Sequence, residues 1–265
     1  MTDTVTLPAG PLRLVDLSQR LGNATRAFEP NPHEIEYIDH RTAATLTGAY
    51  GIEPELWVDG EAWAVERVTL STHSGTHVDA PYHYASTTAG RPARTIDDVP
   101  LRWCLGPGVV LDFTHKQAGE GIEAGEVEHA LELIGHDLQP LDIVLIRTDV
   151  SLQFETAGYD RRHSGLRLSA TEWLVDHGVR LIGIDAWGLD RPLGVMADEA
   201  RAGDRDQLWE SHFLGRRKEY CQIEKLVNLS QLPPSGFLVS ALPIRLADAS
   251  AAWSRVVAMV PEGDA

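Results

Sequence analysis

The segment Leu181-Ile182-Gly183-Ile184-Asp185 is apolar at nearly every position. A strand with one face in water alternates apolar and polar residues, so an unbroken run implies a central strand covered on both faces. Short β-branched or apolar runs bounded by turn residues recur at 65–70, 108–113, 142–147, 236–241 and 255–260. Helical patterns lie between them. Ser169-Ala170-Thr171-Glu172 reads as a capping box for a short helix that Gly178 closes. Residues 123–134 carry Val127, Ala130, Leu131 and Ile134 at helical spacing, and a third helix is expected within 205–219. Strands alternating with helices predict an α/β fold with a mixed sheet. No repeat, low-complexity block or Pro/Gly/Ser-rich linker divides the chain, so residues 1–265 are expected to form a single domain.

The charge balance narrows the partners. Thirty-nine acidic against 23 basic residues give a formal charge of −16. Nucleic acid and anionic membrane surfaces both demand a basic patch, so neither is expected. No apolar stretch approaches the length of a membrane span, and the start MTDTVTLPAG lacks the basic and apolar regions of a secretory signal. Two cysteines in 265 residues argue against a disulfide framework and fit a reducing compartment. The expectation is a cytoplasmic protein acting on a small-molecule substrate.

The chemistry concentrates in one run, His73-Ser74-Gly75-Thr76-His77-Val78-Asp79-Ala80-Pro81-Tyr82-His83. Side chains two apart share a face of an extended chain, so His77 and Asp79 point the same way. Gly75 permits a bend that swings His73 toward them. Imidazole nitrogen and carboxylate oxygen suit Zn²⁺ or Mn²⁺, and three protein ligands leave a position open, as a catalytic site requires. A solvated polar loop is the bland alternative, but so many candidate groups among small residues fit a metal site better. There is no Cys-x-x-Cys pair and no His-Glu-x-x-His helix. Gly-x-Ser-x-Gly, Gly-x-Gly-x-x-Gly and P-loop patterns are also missing, which disfavours a serine nucleophile and nucleotide cofactors.

The complete His-x-Gly-Thr-His-x-Asp-x-Pro-x-His pattern resembles the metal-dependent cyclase-like hydrolase family, which includes bacterial kynurenine formamidases and the isatin hydrolases. Ile143-Val144-Leu145-Ile146-Arg147-Thr148 looks like the family strand leading to an Arg-Thr pair, and 181–185 like its Gly-Ile-Asp strand. The resemblance implies a swivelling β/β/α cyclase-like fold and a homodimer or higher homo-oligomer. It implies that His73, His77 and Asp79 are metal ligands and that His83 is the acid/base histidine. His212 and Glu224, twelve residues apart and followed by Asn228-Leu229, look like the family's second metal-associated segment. Three regions depart from the formamidases. Ala186-Trp187-Gly188-Leu189-Asp190-Arg191-Pro192 stands where they carry a Thr/Ser-Pro-Ser-x-Asp-Pro segment, and 192–209 looks like an insertion. The N-terminal segment Phe28-Glu29-Pro30-Asn31-Pro32-His33 also differs from the formamidase type.

The expected activity is that of a metal-dependent amidohydrolase. It would cleave a C–N bond of a cyclic amide, such as an isatin-like lactam or imide, or of an aryl amide, through a metal-activated water. Arylformamidase action on N-formylkynurenine is one alternative and a metal-dependent cyclase or lyase another. A non-enzymatic metal-binding module leaves His83 without a reason.

Overall fold

The computed structural model describes residues 10–28 and 32–262, with side chains of 26–28 left out. Two compact units emerge: residues 21–71, and the described remainder on either side of them. The larger unit is built on a nine-stranded sheet. In spatial order its strands are Leu12–Asp16, Val257–Pro261, Phe237–Ser240, Leu105–Asp112, Ile143–Arg147, Leu181–Ile184, Cys221–Glu224, His77–Asp79 and Ala251–Trp253. The strands from Leu105–Asp112 through Cys221–Glu224 run parallel, and antiparallel strands flank them on both sides. This is the α/β class with a mixed sheet that the alternation of runs predicts.

Residue parity explains why the central strands are apolar throughout. Val144, Ile146, Ile182 and Ile184 pack with Val127 and Leu131 of helix Ala124–Ile134 and Ala170 and Leu174 of helix Leu168–Asp176. Ile143, Leu145 and Leu181 point the opposite way into a second cluster with Val15, Val78, Ile223, Val239 and Ala258. Successive side chains alternate across a strand, so two covered faces require two apolar sets. Truncating Leu145, which is fully buried, to alanine would cost roughly 2–5 kcal/mol.

The elements correct several local expectations. Helix Leu168–Asp176 is preceded by Arg167 as its cap, so Ser169 already sits inside the helix and is not a capping-box residue. The hydroxyl of Ser169 instead accepts from Ala124 N–H and donates to Glu123. The reciprocal capping box lies at Glu123 and Glu126, where Glu123 N–H donates to Glu126 Oε2 at 3.0 Å. The 192–209 segment forms helix Leu193–Arg201, and the helix expected within 205–219 shrinks to Glu210–Leu214. In the smaller unit, Glu34–Ile38 pairs antiparallel with Val65–Thr69. Glu29, Pro30 and Asn31 lie outside the described residues. Among the described residues no helix is long and apolar enough to cross a membrane.

One close backbone approach fixes a segment that matters below. A Cβ on Gly165 would stand 2.3 Å from the Asp190 carbonyl carbon and 2.4 Å from Arg191 N. Backbone atoms cannot swing aside as a flexible side-chain tip can, so Gly165→Ala must push the 189–191 segment away. The expected result is a loss of about 1–3 kcal/mol, the usual cost of overpacking, read as a lower urea midpoint. An unchanged midpoint would show that this approach is not tight.

Candidate metal centre

Strand register brings the functional side chains together. His77–Asp79 lies between two antiparallel neighbours, with Glu224 and Trp253 opposite His77 and Gln222 and Ala251 opposite Asp79. Directly opposed residues share a face, which sets His77 Nε2 3.6 Å from Glu224 Oε2. Gly75 adopts φ +62°, the left-handed turn expected of it, just before this strand. His73 is thereby returned to the cluster, with Nδ1 2.9 Å from Asp79 Oδ1 and 3.2 Å from His77 Nε2. Pro81 opens the short helix Pro81–Tyr84 and carries His83 out of the extended run. The His83 ring stands 4.1 Å from that of His73, centre to centre. His212, from helix Glu210–Leu214, places Nε2 4.0 Å from Asp79 Oδ2 and 3.6 Å from Glu224 Oε1. All six residues singled out in the sequence therefore meet at one place.

The donor set fits a divalent cation. The Asp79 side chain is wholly buried, and neither carboxylate oxygen receives an aligned hydrogen bond despite the imidazole nitrogens around it. His77 Nδ1 donates to the Gly75 carbonyl at 2.8 Å, which leaves the Nε2 lone pair facing Asp79 and Glu224. His73 Nε2 pairs with Ser250 Oγ at 3.2 Å and leaves Nδ1 facing inward. A metal–ligand bond of about 2.1 Å puts neighbouring ligand atoms about 3.0–3.4 Å apart in six- or four-coordinate geometry. His73 Nδ1, His77 Nε2 and Asp79 Oδ1 are 2.9–3.2 Å apart. Donor atoms of His77, Asp79 and Glu224 also lie within 4.8 Å of one another, as do those of His73, Asp79 and His83.

Burial and mutual charge set the protonation states. Burial alone would raise the Asp79 carboxyl, but His83 and His77 outweigh it and hold the group well below the usual carboxylate range. Burial raises Glu224, and the Asp79 charge beside it adds to the rise. Burial pushes the His83 imidazole down to about 4, against the pull of Asp79, so it is neutral near pH 7.

Other sequence matches have structural work. Burial lifts Asp185 to about 6 although its carboxylate accepts Thr148 N–H at 2.8 Å, Thr148 Oγ1 at 2.7 Å and Asp149 N–H at 2.8 Å. The Arg-Thr and Gly-Ile-Asp segments are thus stitched end to end behind the site. Trp187 is half-buried against the helix-side apolar cluster, with Lys225 Nζ 5.6 Å from its ring centre. Sequence reading passed over Asp190, Trp209 and Lys225. Lys225 is buried, holds φ +59° and donates from Nζ to the His73 carbonyl at 2.9 Å. These residues approach the site only through tertiary folding, and the position of Asp190 beyond the carboxyl end of a central strand was the one available signal.

A mixed α/β sheet bearing a buried His/Asp/Glu cluster of this kind is a frame suited to metal-dependent chemistry. The chain belongs to the cyclase family: residues 15–191 match the family described as Putative cyclase. It is 33% identical over 201 residues to the kynurenine formamidase of Paracidovorax citrulli (strain AAC00-1), covering 74% of this chain and 80% of that protein. With the kynurenine formamidase of Delftia acidovorans (strain DSM 14801 / SPH-1) it shares 31% over 193 residues, covering 73% and 78%. Among solved structures, isatin hydrolase A from Labrenzia aggregata superposes with a TM-score of 0.75 at 24% identity, over 95% of this chain and 94% of that one. Isatin hydrolase A from Ralstonia solanacearum gives 0.74 at 25% identity, over 94% and 92%.

Proposed function

We propose that this chain hydrolyses a C–N bond of a cyclic amide, an isatin-like lactam or imide, or of an aryl amide. The observation that carries the reading is the buried Asp79 carboxylate with imidazole nitrogens of His73, His77 and His212 at 2.9, 3.2 and 4.0 Å and no aligned hydrogen-bond donor among the described residues. His73, His77 and Asp79 would hold one Zn²⁺ or Mn²⁺, and His212 and Glu224 would hold a second together with Asp79. When bound, the cation supplies Lewis acidity, polarising a carbonyl and bringing the pKa of water toward about 7. His83, neutral at working pH, would accept a proton from the attacking water and return it to the departing nitrogen. Proton return matters because an amide nitrogen leaves poorly as an anion. Glu224 Oε1 is held by Leu189 N–H at 3.2 Å, which fixes the carboxylate for cation or water.

The same reading takes the whole of 1–265 as one cyclase-like domain, since the family match runs through both compact units. Buried, free Cys104 and Cys221 support a cytoplasmic setting, and the family resemblance supports a homodimer or higher homo-oligomer. N-formylkynurenine is the second candidate substrate, favoured by the formamidase relatives. Trp187 bears on the choice: its indole N–H is buried without an acceptor among the described residues, and it stands where the formamidases carry small residues.

The test is a metal-replete screen of cyclic imides, isatin-like lactams, lactones and aryl formamides, with elemental analysis of the same sample. Turnover of a C–N substrate with one ¹⁸O incorporated from H₂¹⁸O is expected. A product formed without label would favour a cyclase or lyase instead. Trp187→Ser on the same panel should shift relative preference by roughly 1–3 kcal/mol in transition-state binding. An unchanged ranking with lower stability would assign Trp187 to the core.

A further inference from the structure

His212 is held on two sides by residues that were given no role in the sequence reading. On its edge, Nδ1 donates to Asp190 Oδ2, and Nε2 is the nitrogen left to face Asp79 and Glu224. Asp190 is itself immobilised. Its Oδ1 accepts Ser211 N–H at 2.7 Å and its Oδ2 accepts His212 N–H at 3.2 Å, so one carboxylate grips both the backbone and the ring. On its face, the Trp209 indole stacks on His212 with ring centres 4.2 Å apart and planes 14° from parallel. The same indole meets His83 edge-on at 5.3 Å.

The backbone of Trp209 is strained to achieve this. It sits at φ 57°, ψ 40°, a left-handed conformation that a bulky side chain adopts only when its surroundings impose it. Those surroundings are identifiable. Trp209 N–H contacts Met196 Sδ at 3.3 Å, and its carbonyl accepts Phe213 N–H at 2.9 Å to start helix Glu210–Leu214. Met196 is buried on helix Leu193–Arg201, which is anchored where Glu199 pairs with the buried Arg191 next to Asp190. The 192–209 segment thus ends by presenting one indole face to one imidazole.

We infer that Asp190 and Trp209 are positioning residues that clamp the His212 ring from edge and face, so that Nε2 is aimed at the Asp79–Glu224 side of the site before any cation arrives, and that the 192–209 segment exists to hold Trp209. The inference rests on the proposed role of His212 as a cation ligand. An unclamped imidazole must give up ring rotation and choose a tautomer on binding. A clamped one has done both in advance, and outer partners of ligating histidines typically govern cation affinity by about 10–100-fold.

The test is calorimetric titration of the metal-free protein with Zn²⁺ and Mn²⁺, alongside ¹⁵N NMR of the His212 ring. Trp209→Gly relieves the left-handed strain while deleting the stack, and Trp209→Phe keeps an aromatic face. Asp190→Asn keeps the shape and removes the charge. We expect Trp209→Gly and Asp190→Asn to weaken one binding step about tenfold or more, with Trp209→Phe recovering most of it. The metal-free parent should show His212 as the Nδ1–H tautomer, and Asp190→Asn should mix the tautomers. His212→Ala separates the two layers. If it removes one step while both clamp variants bind within threefold of the parent, the clamp is overturned and the ligand reading stands. If His212→Ala itself leaves binding unchanged, His212 is not a ligand and the clamp falls with it.

Discussion

Asp79→Ala is expected to strip the cation and abolish turnover together. Asp79 is the common member of both candidate ligand groups, and its two oxygens serve different neighbours: Oδ1 faces His73 and His77, Oδ2 faces His212. Removing it deletes a wholly buried negative charge at the centre of the cluster, and leaves imidazoles to hold a divalent cation beside a Glu224 whose ionisation burial opposes. Loss of an outer partner already costs about 10–100-fold in affinity, so loss of this ligand should cost more than about 100-fold. Elemental analysis after dialysis, with circular dichroism to confirm folding, is the measurement. A folded Asp79→Ala protein carrying its full complement of metal would contradict the assignment.

The second large effect separates ligand from acid/base residue. His83→Ala should keep the cation and lose about two to four orders of magnitude in turnover, the usual share of general acid–base catalysis. The geometry makes this a real contest. His83 comes within ligand range of His73 and Asp79, yet it stands on the short helix that Pro81 begins rather than on the strand carrying His77 and Asp79. Burial keeps its ring neutral near pH 7, as a base requires. Equal loss of metal and activity would make His83 a ligand and send the proton to another group. Retention of near-normal turnover would remove it from the mechanism altogether.

Two properties that depend on neighbours in the chain were spelled out by the residues. The His73–His83 run was legible because a bend, a strand and a proline stop all act within eleven residues, and period two alone puts His77 and Asp79 on one face. Continuous apolarity at 181–184 announced a strand covered on both sides, because each face needs its own apolar set. Local rules failed where two patterns competed. Ser169-x-x-Glu172 satisfies the capping-box pattern, yet Arg167 already caps that helix and the box formed at Glu123 and Glu126 instead. The short strands Cys221–Glu224 and Ala251–Trp253 were missed because a few residues carry too little periodicity to read.

His212 and Glu224 entered the sequence reading only by resemblance, and the physical reason is distance along the chain. Their place beside Asp79 depends on the register of Cys221–Glu224 against His77–Asp79 and on a helix packed across that sheet end. Register and packing are cooperative properties of many side chains, with no local pattern to announce them. The same holds for Asp190 and Trp209, whose contacts with His212 span 22 and three positions and include a left-handed tryptophan that no propensity favours. The sequence by itself thus determined the α/β class, through its alternation of runs, and the shared face of His77 and Asp79, through spacing along one strand. Only the tertiary structure decided how the remaining groups close around Asp79, because that closure is made by chain segments meeting in space.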